Sequence, residues 1–434
     1  MEPNAAAPDP RIAFLAAEAE RLARQGQAQA SAGLWDQVLT LAPEHAGALT
    51  FLGAQALAGG DTAGAASLLH RAVRGSPPMA MAHAQLARVY RATRDDAAAL
   101  QELDRALKLE PAAYGVHFEK AAIYGQQGRE KDQALAFSSA LQVMPPQAAM
   151  TPEMQPLVAR AQRLVAENQA QLGSFLDAHL ADLRGNGPGR PLARFDESLD
   201  VSLGRTPLQL SRPGMFNVVG LPSIAFFDRA DFAWAPAAEA CTEKVRAELQ
   251  DVLQQDAQGF IPYVQTRPGE PVGQFEALDY NPDWSAYFLW HHGKRVESHI
   301  ARCPATMAML DAVPQVEVRN RAPAAFFSAL KPRTRIPPHN GATNCRLTVH
   351  LPLIIPPHCA LQVGNHVRPW TPGELLIFDD TVEHAAWNDS DQLRVVLIFD
   401  VWHPLLSADE RRLVQGALEG IMAYYGHDAP LGEL

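Results

Sequence analysis

Two patterns of apolar and polar positions divide the chain. Between residues 11 and 185 the background is Ala, Leu, Gln and Arg, all good helix formers. Prolines punctuate it at Pro43, Pro77, Pro111 and Pro145, each 34 residues after the last. The slots between them match: Leu49, Leu52, Gly53, Ala56, Ala65, Leu69 and Ala72 are followed one period later by His83, Leu86, Ala87, Tyr90, Ala99, Leu103 and Ala106. A third set reads His117, Lys120, Ala121, Tyr124, Gln133, Phe137 and Ala140. Small residues fall where two helices must approach closely and larger ones fill between them. Proline then stops the second helix of each unit, because it lacks a donor and clashes with the preceding turn. Segment 12–43 fits the period more loosely, as a worn first unit. Residues 152–184 predict one or two further helices that cap the array. RGNGPGRP at 184–191 breaks the pattern, which places a domain boundary near 186.

Past residue 205, turn signals alternate with short apolar runs. Helices are predicted at 236–255 and 303–312. From 324 onward the runs AAFFSALK, CRLTVHLPLII, ELLIFDD, HAAW and LRVVLIFDVW read as strands of an all-β sandwich or jelly roll. Segment 405–434 reads as a helix opened by a capping box, Ser407 with Glu410 three residues on. The 34-residue helical period resembles tetratricopeptide repeats. That resemblance implies a solenoid over 11–185 whose concave face takes a peptide or protein.

Composition changes this picture mainly by exclusion. Lys plus Arg number 37 against 48 Asp plus Glu, a net charge of −11. Such an acidic chain is a poor candidate for nucleic-acid or membrane-surface binding. No apolar run approaches the roughly 18 residues of a membrane helix, and the first fifteen residues do not read as a secretory signal. The four cysteines (Cys241, Cys303, Cys345, Cys359) form no CxxC pair and are expected as reduced thiols in a cytoplasmic protein.

Candidate chemistry gathers in 328–350 and 378–404. His339 is read in a Pro- and Gly-bounded loop before a strand, and His384 at the start of another. The run HAAW–NDSDQ–LRVV reads as a β-hairpin turning near Asp389, which sets His384 opposite Arg394. A metal on His384 and the Arg394 guanidinium would then grip the two ends of a small dicarboxylate. In CRLTVHL, Arg346, Thr348 and His350 share one face, fit to line a cavity, while Leu347, Val349 and Leu351 face a core. Each residue also has a plain structural reading: a hydrogen-bonded histidine at a strand end, an arginine in an ion pair.

The runs LWHHGK (289–294), HNGATNCRLTVHLPL (339–353), GELLIFDDTVEHAAW (373–387) and LRVVLIFDVWHP (393–404) resemble the aspartyl/asparaginyl β-hydroxylase family of iron and 2-oxoglutarate oxygenases. The resemblance covers about residues 195–405 and implies a double-stranded β-helix in a domain spanning 186–434. It implies Fe(II) on His339 and His384, with 2-oxoglutarate and O2 as cosubstrates. Arg394 would pair with the distal carboxylate of 2-oxoglutarate, assisted by Ser328. Arg346 and His350 match polar residues near the other end of the cosubstrate, and Trp284 matches a tryptophan at the pocket. The implied reaction hydroxylates a C–H bond, the β-carbon of an Asp or Asn residue in a peptide, and yields succinate and CO2.

One departure stands out. Non-haem iron oxygenases commonly use two histidines and a carboxylate, but the usual H-x-D is here His339-Asn340-Gly341. Two histidines alone can hold the iron, or a halide can fill the open position, as in halogenases; TNCRL and DVWHP favour the hydroxylase. Asp379, Asp380 and Glu383 lie near His384 and could supply a carboxylate behind the ligands, Asp379 and Asp380 being read as mainly structural. A protein from another class, a repeat scaffold carrying a silent oxygenase domain, is the remaining alternative. His291, His292, Lys294 and Arg295 read as a solvated loop or as lining for a substrate entrance.

Overall fold

The computed structural model describes residues 9–75, 77–184, 192–266, 269 and 273–425. The chain forms two compact units, divided between Gly204 and Arg205. The division therefore falls after the RGNGPGRP stretch, of which 185–191 lies outside the described residues.

The first unit is a run of helix pairs: α1 (Pro10–Arg24) with α2 (Ala28–Leu41), α3 (Ala46–Ala58) with α4 (Thr62–Ala72), α5 (Ala80–Ala92) with α6 (Asp96–Leu109), and α7 (Tyr114–Gln126) with α8 (Glu130–Val143). Each of the four periodic prolines follows the second helix of a pair, as expected. Gly53 shows why the small slots matter: a Cβ there would lie 2.6 Å from Leu69 Cγ. A second feature follows the same 34-residue period. Gly26, Gly60, Arg94 and Gly128 all have positive φ (75°, 88°, 63° and 70°), so each first helix ends on a left-handed residue. The looser first unit is thus a full helix pair. After a short α9 (Pro146–Ala149), residues 155–184 form one 30-residue helix, α10 (Gln155–Arg184), whose N-terminal half packs on Phe137 and Ala140. Helix α11 (Ala193–Ser202) completes this unit.

The second unit is built from antiparallel strands: β1 (Phe226–Phe227), β2 (Ile261–Pro262), β3 (Trp284–His291), β4 (Lys294–Arg295), β5 (Ala325–Leu330), β6 (Thr334–His339), β7 (Arg346–Ile354), β8 (Cys359–Val363), β9 (His366–Pro369), β10 (Leu376–Phe378), β11 (His384–Asn388) and β12 (Arg394–Trp402). One sheet has the order β1-β10-β7-β12-β5-β3-β2, with β4 beside β3; the other runs β6-β11-β8-β9. Between β5 and β12 the chain changes sheet at almost every connection.

That alternation overturns the expected hairpin. Strand β11 lies in the four-stranded sheet and β12 in the larger one, so segment 389–393 crosses between sheets. His384 pairs with His339 and Val363, whereas Arg394 pairs with Leu330. The crossing is held by Asn388, fully buried, whose Nδ2 donates to the carbonyls of Leu330, Lys331 and Gln392. A polar side chain with its amide satisfied by three backbone acceptors fixes the chain leaving one sheet for the other. His339 likewise ends a strand and does not lie in a loop.

The alternation in β7 holds. Leu347, Val349, Leu351 and Leu353 join Val395, Leu397, Phe399 and Val401 in the main core. Helices α12 (Ala235–Glu239), α13 (Thr242–Gln255) and α15 (Pro304–Leu310), the last preceded by α14 (Glu297–Ile300), contribute Ala235, Val245, Leu249, Val252 and Leu310 to that core. The opposite face of the sheet is left for a cavity. Helix α16 (Ala408–Tyr425) starts with the expected capping box: Glu410 N donates to Ser407 Oγ, and Ser407 N donates to Glu410 Oε2. Among the described residues no helix is long and apolar enough to cross a membrane.

Candidate active site

A cavity of about 740 Å³ opens in the second unit, lined by both sheets. Its wall holds all seven sequence candidates: Trp284, Ser328, His339, Arg346, His350, His384 and Arg394. They arrive by strand parity. Strand β12 presents Arg394, Ile398 and Asp400 inward; β7 presents Arg346, Thr348 and His350; β5 presents Phe326 and Ser328.

His339 and His384 meet because β6 and β11 pair at these two residues, next to a β-bulge between His384 and Ala386. Their ring centroids lie 3.9 Å apart. Nδ1 of His339 lies 2.7 Å from the Pro337 carbonyl and Nδ1 of His384 lies 3.2 Å from that of Val382. A carbonyl only accepts, so both Nδ1 atoms carry the proton and both Nε2 lone pairs are left for a ligand. Burial holds both imidazoles neutral: His339 is pushed down to about 3, with His384 adding to the effect, and His384 to about 4. Two neutral imidazoles with matching tautomers on facing strands are what a divalent metal requires. Among the described residues no group of three or more potential ligands gathers. Gly341 cannot contribute one, since a Cβ there would fall on the Asp380 carboxylate.

Arg394 is the second distinctive feature. It is 1% exposed, and burial pushes its guanidinium down to about 10. Its contacts are two long ones from Nη1, 3.4 Å to the Ser328 carbonyl and 3.5 Å to Ser328 Oγ; Nε has no partner. The Trp370 ring centre lies 4.7 Å from Cζ. An unpaired buried cation is costly, and a cavity-lining one is complementary to an anion. Ser328 Oγ also accepts from Trp284 Nε1 at 3.1 Å. Trp284 stacks on Tyr263 at 4.3 Å, and Phe275 meets His339 edge-on at 4.8 Å, so aromatic rings wall the side of the cavity that holds His339.

Arg346 differs. Its guanidinium pairs with Asp380 Oδ2 at 2.9 Å and with Asp400 Oδ1 at 2.7 Å, and Nη1 also donates to Thr348 Oγ1. Burial disfavours the charge, but the two carboxylates outweigh it and hold Arg346 protonated. Asp380 is thus a cavity residue as well as a structural one. Asp379 has the structural role expected of it, accepting from Thr381 N and Oγ1. His350 is held neutral by burial, with Arg394 adding to the effect. Its Nδ1 accepts from Trp370 Nε1 at 3.2 Å, which leaves its proton on Nε2. His291, His292, Lys294 and Arg295 sit at the β3–β4 turn, away from the cavity wall.

The sequence reading missed Asp400, Trp370, Tyr263 and Phe275. Asp400 was recoverable, because it shares the period-two face of Arg394 and Ile398 in LRVVLIFDVW. Trp370 and Tyr263 lie in irregular segments and Phe275 in a short 3-10 helix (Gly273–Leu278), where no periodicity marks a facing direction.

Buried histidines also set acid sensitivity. Burial pushes His291, His403 and His384 down to about 4 and His339 to about 3, and lowers His350 well below its ordinary value. Between about pH 6.5 and 4 the unfolded chain binds more protons at these sites, so their stabilisation is complete above 6.5 and is lost as pH falls toward 4. Asp379 and Asp400, both raised to about 6 by burial, act in the opposite sense. Each fully shifted group changes stability by about 1.4 kcal/mol per pH unit. Thermal unfolding of metal-free protein is expected to shift downward between pH 7 and 5, and His403→Phe to reduce that shift; a flat profile would contradict the burial of these rings.

Residues 239–404 match the family model for aspartyl/asparaginyl beta-hydroxylase. The chain is 33% identical over 199 residues to the human protein of that name, covering 46% of this chain and 25% of that one. It is 34% identical over 201 residues to the ornithine lipid ester-linked acyl 2-hydroxylase of Rhizobium tropici, covering 46% of this chain and 66% of that one. The chain thus spans only about a quarter of the length of the human and mouse β-hydroxylases. Among solved structures, YrrB, described as a TPR protein with an unusual peptide-binding site, is similar at 17% identity and a TM-score of 0.28, covering 36% of this chain and 75% of that one. Over residues 239–404 the second unit thus resembles the aspartyl/asparaginyl beta-hydroxylase family, and it follows helix pairs that repeat every 34 residues.

Proposed function

We propose that the protein is an Fe(II)- and 2-oxoglutarate-dependent hydroxylase acting on the β-carbon of an Asp or Asn residue in a peptide or protein. The observation that carries this reading is the unpaired, buried Arg394 guanidinium in one cavity with two neutral histidines whose Nε2 atoms are both available. His339 and His384 would hold the iron, and Arg394 with Ser328 would bind the distal carboxylate of 2-oxoglutarate through charge-assisted hydrogen bonds. Iron with 2-oxoglutarate and dioxygen supplies the oxidising power that converts C–H to C–OH, with succinate and CO2 as coproducts. The chain's own contribution is orientation and exclusion of water. His350 offers an N–H from Nε2, and the aromatic wall of Tyr263, Phe275 and Trp284 keeps the reacting centre dry. The repeats are suited to presenting a peptide or protein substrate. The two relatives' names refer to different substrates, an Asp or Asn residue and an ester-linked acyl chain. Purified protein supplied with Fe(II), 2-oxoglutarate and oxygen is expected to form succinate, and to lose that activity without iron.

The Asp380 carboxylate over Gly341 favours hydroxylation over halogenation, since it puts negative charge where a halide would have to sit. Gly341→Asp is accordingly expected to fail as a repair of the H-x-D motif. Two buried carboxylates would compete for one place, lowering stability by about 2 kcal/mol or more and weakening metal binding. Tighter metal binding in this variant would contradict the assignment.

Trp370 bridges both ends of the proposed cosubstrate pocket, under Arg394 and against His350. Trp370→Phe keeps the ring but leaves a buried imidazole nitrogen unsatisfied, at a cost of about 1–3 kcal/mol. KM for 2-oxoglutarate is expected to rise about tenfold or more, with kcat changing less; steady-state kinetics on the variant would show an unchanged KM if Trp370 only fills space.

A further inference from the structure

We infer that the substrate lobe of the cavity takes an uncharged group, an Asn-like carboxamide or an aliphatic chain, and rejects a carboxylate. This rests on the iron and 2-oxoglutarate reading above and revises its substrate, removing Asp and admitting an aliphatic chain beside Asn.

The argument is one of charge matching. Among the described residues lining the cavity, the carboxylate and guanidinium groups are Arg346, Arg394, Asp380 and Asp400, and His339 and His384 are assigned to the metal. Arg394 is committed to the cosubstrate's distal carboxylate. Arg346 lies at the other end of the sheet, two strand residues from Thr348, and is already neutralised twice over, by Asp380 and Asp400. Both carboxylates are buried, 6% and 3% exposed, so neither swings away into solvent to release the guanidinium. Among the described residues of this lobe a substrate carboxylate would find no free cation, and it would sit beside two like charges. Like-charge juxtaposition in a desolvated site costs several kcal/mol.

The rest of the lobe is neutral. Phe326, Ile398, Tyr263 and Val264 form apolar walls, and Gln265 and Gln274 bring side-chain amides. Amides donate and accept, and so suit a carboxamide or a peptide group; the apolar walls suit CH2 groups.

The test uses the full-length protein with Mn(II) in place of Fe(II) and N-oxalylglycine in place of 2-oxoglutarate. A first calorimetric titration establishes that metal and N-oxalylglycine bind; failure there removes the underlying reading itself. Three probes of matched shape are then titrated: the N-acetyl methylamides of asparagine, leucine and aspartate. The asparagine or leucine probe is expected to bind about tenfold or more tighter than the aspartate probe. Equal or tighter binding of the aspartate probe overturns the inference, as does binding of none of the three. Asp400→Asn, which leaves Arg346 with one counter-charge, is expected to narrow the gap by improving aspartate binding. Asp380→Asn gives the same reading should the first variant not fold, and an unchanged ratio in a folded variant counts against the charge argument.

Discussion

Arg394→Gln abolishes productive 2-oxoglutarate binding while leaving the metal-free protein at least as stable as the wild type. Both halves follow from one observation. The guanidinium is 1% exposed, lacks a carboxylate partner among the described residues, and has no acceptor at Nε. In the ligand-free protein it is therefore a buried charge whose desolvation is poorly compensated, and replacing it by a neutral amide relieves that cost. When a dicarboxylate is bound, the same guanidinium becomes half of a buried charge pair. Removing one partner of such a pair costs about 2–5 kcal/mol, or about 30- to 5000-fold in affinity. Denaturation curves and 2-oxoglutarate titrations of the two proteins check this directly. A purely structural arginine would give the reverse, a large loss of stability with no selective effect on the cosubstrate.

His384→Ala, and equally His339→Ala, removes one of the two ligands proposed for the metal among the described residues. Metal affinity is expected to fall by more than about 100-fold, since even outer-shell changes reach that size, and succinate formation to fall to background. Loss of stability should be modest, because each side chain makes one hydrogen bond to a carbonyl two residues away. Metal analysis of the folded variants distinguishes this from a silent domain on a repeat scaffold, in which neither substitution would change metal content.

Much of the architecture was legible in the sequence because it is written in periods. Prolines 34 residues apart marked the helix pairs, and alternation in CRLTVHL separated the cavity face from the core face of β7. All seven candidate residues reach one cavity for the same reason, since strand parity is local. What was not legible is which strands become neighbours. HAAW–NDSDQ–LRVV has every local mark of a hairpin, yet Asn388 ties its end to the backbone of Leu330, Lys331 and Gln392, and the chain crosses to the other sheet. His384 and Arg394 still serve one cavity, from facing walls and not from opposite positions of one ladder. Strand β3, central to the larger sheet's edge region, was missed because its run WSAYFLWH is buried almost throughout and shows no polar alternation. The pairing of Arg346 with Asp380 and Asp400 was hidden because its partners lie 34 and 54 residues away in sequence, on other elements.

The most direct test is an anaerobic calorimetric titration of 2-oxoglutarate into the full-length protein, with and without Fe(II). One equivalent is expected to bind, more tightly when iron is present, and binding is expected to be lost in Arg394→Gln. Iron affinity should rise reciprocally when 2-oxoglutarate is present. Absence of 2-oxoglutarate binding to the iron-loaded protein, or binding that neither iron nor Arg394 affects, would contradict a site built from His339, His384 and Arg394.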